Sequence, residues 1–329
     1  MTTATSFQKQ SKVIHKDYLA FRDSIPAQYE PHTNEYTPPK YGKFVQFMPV
    51  IGTGAFFEKD EGQPPALDAL SEGIPVMATF STYALAVMCS KESKIEDPLN
   101  LFAKAPRALR KSAKNTIDKI VVKMLALAFS QSQTMSDGQP LISGAHLMNP
   151  QISQGGPIYS ASGLTYSNSL GNSQITPESL MDGDMLSQNL IDDRGNKDET
   201  TLRTLLIGSN PVQAQIAQEV VGTPTHPNEI NRKKNLQHNR WDVQVWRDIP
   251  ISPTFNPWFL MAGKGDPGED CHGLTVWFRW KDGQSGNGYH SFIEPWTQSP
   301  VVVISFRLAT MAWKWQGIVG SMGGGGVTA

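Results

Sequence analysis

The sequence predicts an α+β chain in which one long helix acts as a strut and a strand-rich second half supplies most of the sheet. Three observations predict it. An apolar stripe runs from Asp97 to Phe129 at helical spacing. A helix–strand–helix order follows over 176–222. From Trp241 to Gly320 the chain turns to period-two and β-branched runs, and these hold all eight tryptophans. With 329 residues, the chain is long enough for one large domain or two modest ones.

Residues 1–40 are polar, with a short helical pattern around Val13, Tyr18, Leu19 and Phe21. Pro26, Pro31, Pro38 and Pro39 follow and favour an extended arm. Residues 43–80 read as two strand segments around a charged, turn-rich tip, Lys59-Asp60-Glu61-Gly62-Gln63-Pro64-Pro65. Val76 to Phe80 is the return. A long hairpin with few core partners is marginal alone, so contacts from other chains are expected.

The strut comes next. Asp97 suits an N-cap and Pro98 the first turn, where its missing N–H costs nothing. Leu99, Phe102, Ala105, Leu109, Ala113, Ile117, Ile120, Met124 and Ala128 recur at steps of three or four and form one stripe. Arg107, Arg110, Lys111 and Lys114 fall on another face. Pro106 predicts a kink or a restart.

Residues 130–174 are rich in Ser, Gln, Gly and Asn and read as a surface region with a short hairpin. Thr176-Pro177-Glu178 starts a helix that closes at Asp192-Asp193-Arg194-Gly195-Asn196. Thr204 to Gly208 is a short buried strand. Ser209-Asn210-Pro211 caps a second helix, Val212 to Val221, with Gly222 as its stop. Strands are then expected at Trp241–Trp246, Trp258–Ala262, Leu274–Trp280 and Pro300–Phe306, and the last continues through Trp315 to Gly320. The glycine run 323–326 is a flexible tail.

Composition excludes several classes. Net charge is −1, so no overall attraction draws the chain to nucleic acid. No apolar run reaches the roughly eighteen residues of a membrane span, and Met1 to Ser6 lacks the apolar core of a signal peptide. Two cysteines, Cys89 and Cys271, are too few for a disulfide framework and read as buried thiols. None of the seven histidines stands at ligand spacing from another His or Cys, so no zinc site is expected. Nucleophile-elbow, phosphate-loop and dinucleotide motifs do not occur. Asp182, Asp184, Asp192 and Asp193 read as a solvated face rather than a metal site. The tryptophans suit sugar or base stacking, or core and interface anchoring. The strand context of Trp277, Trp280, Trp313 and Trp315 favours the second. No cofactor and no catalytic residue is expected.

The order Val76-Met77-Ala78-Thr79-Phe80, then Ala86 to Glu92, then Ile95-Glu96-Asp97 and the long helix resembles the tailed-phage major capsid proteins of the Hong Kong 97-type fold. A second point of resemblance is the hydrophobic strand ending in Gly208-Ser209-Asn210-Pro211 with a helix after it. A third is a strand bearing Trp after an Asp-Ile-Pro segment. The likeness covers residues 40 to 320 as an order of parts.

The resemblance implies an N-terminal arm over 1–40 and an extended hairpin loop over 41–82. It implies a peripheral domain from 83–140 and 251–314, with the spine helix at 98–129, and an axial domain from 141–250 and 315–329. The function implied is a major capsid protein whose pentamers and hexamers close an icosahedral shell around double-stranded DNA. A separate scaffolding protein, a portal and a decoration protein are the further partners. The virion is the expected location, after assembly in the host cytoplasm. Phe44, Phe47, Phe56, Phe57, Lys59 and Glu61 are the candidate intersubunit contacts. Arg107, Arg110, Lys111 and Lys114 are the candidate residues facing the lumen and its DNA. Two alternatives stand beside this reading: an encapsulin-like nanocompartment shell, and a Trp-rich β protein that binds or hydrolyses carbohydrate.

Overall fold

The structure, a computed structural model, describes residues 4–24, 27–37, 42–47, 50–51, 58–59, 61–64, 67, 71–72, 75–90, 101–135, 137–147, 165–190, 200–225, 234–252, 254–265, 271–284 and 287–324. The elements run in chain order as α1 (Ala4–Ser24), β1 (Asn34–Tyr36), β2 (Phe44–Phe47), β3 (Val50–Ile51), β4 (Ser71–Glu72), β5 (Val76–Thr79), β6 (Ser81–Met88) and α2 (Leu101–Ala126). They continue as β7 (His146–Leu147), β8 (Thr165–Tyr166), α3 (Pro177–Gln188), β9 (Leu202–Ile207), α4 (Pro211–Gly222), β10 (Asp242–Val245) and β11 (Trp258–Ala262). The last four are β12 (Leu274–Trp280), β13 (Tyr289–Ile293), β14 (Pro300–Ala312) and β15 (Ile318–Ser321). The chain forms two compact units. One is 1–45 with 78–121 and 275–310; the other is 46–77 with 122–274 and 311–329.

The first unit is built on a five-stranded sheet in the order β1-β12-β14-β13, with β6 also paired to β14. β14 is 13 residues long, and its Val-Val-Val-Ile run suits a strand buried on both faces. Ile14 and Tyr18 of α1, Leu109 of α2, and Val302 and Ile304 of β14 form one buried cluster. α1 extends well beyond the short pattern expected in an extended arm. It runs 21 residues, because no proline intervenes before Pro26 and its residues one turn apart meet the sheet.

α2 is continuous through Pro106, which lies buried inside the helix, so of the kink or restart expected there the restart does not occur. The proposed cap at Asp97-Pro98 lies outside the described residues. The helix ends at Ala126, three positions before Phe129, in turn bonds from Ala128 N to Leu125 O and from Ser130 N to Leu127 O. Leu109, Ala113, Ile117, Met124 and Ala128 are buried, as the stripe predicts.

The second unit carries a four-stranded mixed sheet in the order β10-β9-β11-β15. β10 runs parallel to β9, while β11 is antiparallel to both β9 and β15. The sequence partition placed 251–314 with the spine helix. β11, from that stretch, instead pairs inside this second sheet. All five of its residues are buried, which requires a central strand covered on both faces. α3 starts on a capping box at Thr176 and Ser179, and α4 on the Asn210 side chain, which accepts from Val212 N; both starts were legible. Leu180, Leu205, Ile207, Ala217, Trp258, Leu260 and Val319 belong to the shared core.

The stretch read as surface, 130–174, is partly interior. Leu141, Ile142, His146 and Asn168 are buried. Asn168 Nδ2 donates to Leu141 O at 2.8 Å and to Ile318 O at 3.0 Å, while its Oδ1 accepts from Ser143 N at 2.8 Å. At Asn168 the polar side chain serves hydrogen-bonded joinery inside the fold. The short hairpin is present as β7 and β8.

Candidate functional site

Two places bear on function: the hairpin over 43–80 and the basic flank of α2. In the hairpin, β2 pairs with β5 and β3 with β4. Phe44, Lys59 and Glu61 are exposed. Phe47 is not wholly available to a neighbour, because its ring lies 4.8 Å from that of Trp313 in the same unit. Phe56 and Phe57 lie outside the described residues.

On α2 the four candidate cations separate. Arg107 and Lys111 are exposed, and Lys114 is half-buried. The Arg107 guanidinium also lies over the Phe21 ring at 5.8 Å. Arg110 is a correction. Its side chain is only 4% exposed and donates from Nη1 to Asp282 Oδ2 at 2.9 Å. It lies toward the sheet because it follows Leu109 on the packed side of the helix, where a carboxylate offsets the cost of burying its charge. Lys104 and Lys119 are exposed too. With Arg107 and Lys111 they follow steps of three, four and eight, and so share one flank. The sequence reading missed both. The signal was available in the helical spacing, which groups Lys104 with Lys111 better than it groups Arg110. The α2 sequence holds seven cations and one acid, Asp118, and that acid is buried, accepting from Tyr29 N at 3.1 Å.

The carboxylate of Asp282 also accepts from the Tyr18 hydroxyl at 2.5 Å. Burial, and then the charge of Asp282, pushes the Tyr18 hydroxyl far above its usual ionisation range. Burial, with Glu35 and Glu30 nearby, does the same to Tyr29. Both are structural neutral phenols, positioned by α1 and the segment after it.

The other sequence candidates resolve into structure. Asp184 is buried and ion-paired with Arg240, which corrects its assignment to a solvated face, whereas Asp182 is exposed. Asp192 and Asp193 lie outside the described residues. Among the described residues no cluster of three or more His, Cys, Asp or Glu is arranged to hold a metal ion, and no helix is long and apolar enough to cross a membrane. Cys271 is buried, as expected, but Cys89 is half-buried, because it leaves β6 at the edge of the sheet. Trp241, Trp246, Trp258, Trp313 and Trp315 are core residues. Trp315 stacks on the His146 ring at 4.2 Å, and His146 Nδ1 pairs with Asp137 Oδ2 at 2.6 Å. Trp277 and Trp280 are half-buried, and Trp296 stands exposed.

A basic helix flank and tryptophans spent largely on packing are features of a protein that builds. The comparisons name what it builds. A phage capsid protein family model matches residues 73–319. The chain belongs to that family, and it is a major capsid protein, a structural component of the virion shell.

The fold is that of known shells. The capsid of cyanophage P-SCSP1u superposes with a TM-score of 0.53 at 9% identity, over 90% of this chain and 88% of that one. The procapsid of bacteriophage JBD30 gives 0.51 at 12% identity, over 97% and 76%. The SrpI encapsulin complex from Synechococcus elongatus PCC 7942 gives 0.53 at 9%, over 93% and 89%. A search of curated proteins returns no match.

Proposed function

We propose that the chain assembles into pentamers and hexamers that close an icosahedral shell around double-stranded DNA. The hairpin over 43–80 reaches a neighbouring subunit through Phe44, Lys59 and Glu61, with Phe56 and Phe57 as further contacts and Phe47 engaged mainly in its own chain. The flank carrying Lys104, Arg107, Lys111 and Lys119 faces the lumen. There it neutralises phosphates without reading sequence. Scaffolding and portal proteins complete assembly in the host cytoplasm, and a decoration protein binds the outer surface. JBD30 capsids are decorated with minor capsid protein trimers.

The observation that carries the reading is the basic flank of α2 in a chain whose net charge is −1. Local positive charge on a near-neutral protein suits contact with a confined polyanion rather than free binding in solution. An encapsulin-type shell shares the fold but takes other cargo.

The test is electron microscopy of the chain co-expressed with its scaffolding protein, followed by packaging with wild-type chain and with Lys104, Arg107, Lys111 and Lys119 changed to Gln. Closed shells are expected from both. The variant is expected to hold DNA less tightly and to release it at lower salt. Unchanged DNA retention would remove the lumen assignment, and absence of shells in the wild type would remove the shell reading.

A further inference from the structure

We propose that Arg279, Arg307 and Lys43 form a site for one phosphate-class oxyanion, on the face of the first unit's sheet that is turned away from α1 and α2. The proposal stands on the subunit's own geometry and does not depend on the shell reading above. Strand parity sets the face. Val302 and Ile304 of β14 pack with Ile14 and Tyr18 of α1 and Leu109 of α2. β14 keeps its register with β6 from Val301 to Leu308, so Arg307, three positions beyond Ile304, lies on the face opposite the helices. On β12 the Phe278 ring lies 6.1 Å from that of Tyr29, whose N–H donates to Asp118 of α2. Arg279 follows Phe278 and so shares the face of Arg307.

Phe80, the buried residue that joins β5 to β6, gathers the charges. The Arg279 guanidinium lies 5.6 Å from the centre of its ring and that of Arg307 5.9 Å. Arg307 also lies 5.7 Å from the centre of the Trp280 ring. Phe80 N donates to Lys43 O at 3.1 Å, which brings an exposed third cation beside the ring. Arg279 and Arg307 are the charged residues of β6, β12 and β14, so no acid on these strands offsets them. Both arginines and Trp280 are half-buried, which leaves the rim of the site open to solvent.

Two donors at this place lack an acceptor. Arg307 Nε and Trp280 Nε1 are shut off from solvent and have no hydrogen-bond partner. Among the described residues no carboxylate pairs with Arg307. Neither group can accept, and neither is an amide whose two ends could be exchanged, so both call for an oxygen from outside the chain. Water supplies an oxygen but leaves the guanidinium charges unopposed, and the ring contacts offset only part of their mutual repulsion. Three cations around one ring suit a doubly charged anion with several oxygens better than a single carboxylate. The basic flank of α2 belongs to the other side of the sheet, so this site is separate from it.

The experiment titrates the full chain, as free subunit, with inorganic phosphate at an ionic strength held constant with chloride. Phenylglyoxal modification of each arginine is followed by mass spectrometry. At about 10 mM phosphate, modification of Arg307 is expected to slow about fivefold or more, while the exposed Arg203 of β9 reacts at an unchanged rate. Acetate at the same concentration is expected to slow Arg307 by about twofold at most. A saturating rise of melting temperature with phosphate is expected in the wild type. It should vanish in Arg307→Gln and shrink in Arg307→Lys, which keeps the charge without the planar fork. Equal slowing at Arg203 and Arg307, equal protection by acetate, or the wild-type phosphate response in both variants overturns the proposal. If Arg307→Gln does not fold, the wild-type protection and the Lys variant decide the matter.

Discussion

Arg110 and Asp282 meet at 2.9 Å across 172 positions of sequence, and both side chains are almost wholly buried. The pair joins the spine helix to the turn after β12, and Tyr18 closes it from α1. Three chain segments thus converge on one carboxylate.

Removing that carboxylate exposes the cost of the buried cation. Asp282→Ala is expected to destabilise the subunit by about 3–5 kcal/mol. Arg110→Met with Asp282→Leu is expected to lose much less, because no charge remains unpaired. Chemical denaturation of the three proteins measures the difference. Equal losses in the single and double variants would deny the pair its role.

Alkaline pH acts on the same place. Tyr18 and Tyr29 ionise near 10.0 when unfolded, and folding raises both. The folded chain therefore holds more protons than the unfolded chain above that pH. Their contribution is fully present below pH 10 and falls as pH rises beyond it, by up to about 1.4 kcal/mol per pH unit for each tyrosine. Melting temperatures of wild type and a Tyr18→Phe, Tyr29→Phe variant from pH 8 to 11 test this. The wild type should fall more steeply above pH 10.

Asn168 is expected to be sensitive out of proportion to its size. Asn168→Ala leaves the carbonyls of Leu141 and Ile318 and the N–H of Ser143 without this partner, at a cost of about 2–4 kcal/mol. Asn168→Asp turns the donating end into an acceptor facing two carbonyl oxygens, and is expected to do worse. Denaturation midpoints of the two variants would rank them.

Gly273 tolerates no side chain. A Cβ there would lie 2.2 Å from Lys314 N and 2.3 Å from Lys314 O, both backbone atoms that cannot rotate away. Gly273→Ala is expected to cost about 3 kcal/mol or more. Gly144→Ala meets nothing within 4 Å and serves as the control. Soluble yield and melting temperature separate the two.

Much of this architecture is written locally. Thr176-Pro177 and Asn210-Pro211 start their helices wherever the chain goes, because the cap bonds span two or three residues. The spine stripe is equally local, since its period of 3.6 places Leu109, Ala113 and Ile117 on one side. The run Trp258 to Ala262 announces a buried strand, though not which sheet receives it.

The candidate surfaces were legible only in part, and for one reason. Residues 107, 110, 111 and 114 are all cations within two turns, and nothing in that stretch says which of them meets a carboxylate. The answer lies in Asp282, brought close by β12 and its turn. Likewise, Ser81 to Met88 reads as an ordinary uncharged strand until the pairing with β14 leaves its other edge without a strand partner among the described residues. By itself the sequence determined where α3 and α4 begin and which positions of α2 carry a buried stripe, because these depend on neighbours a few residues away. The tertiary structure alone decided which charge is buried, which sheet takes β11 and which strand edge is exposed. Burial and pairing depend on segments that only the folded chain brings together.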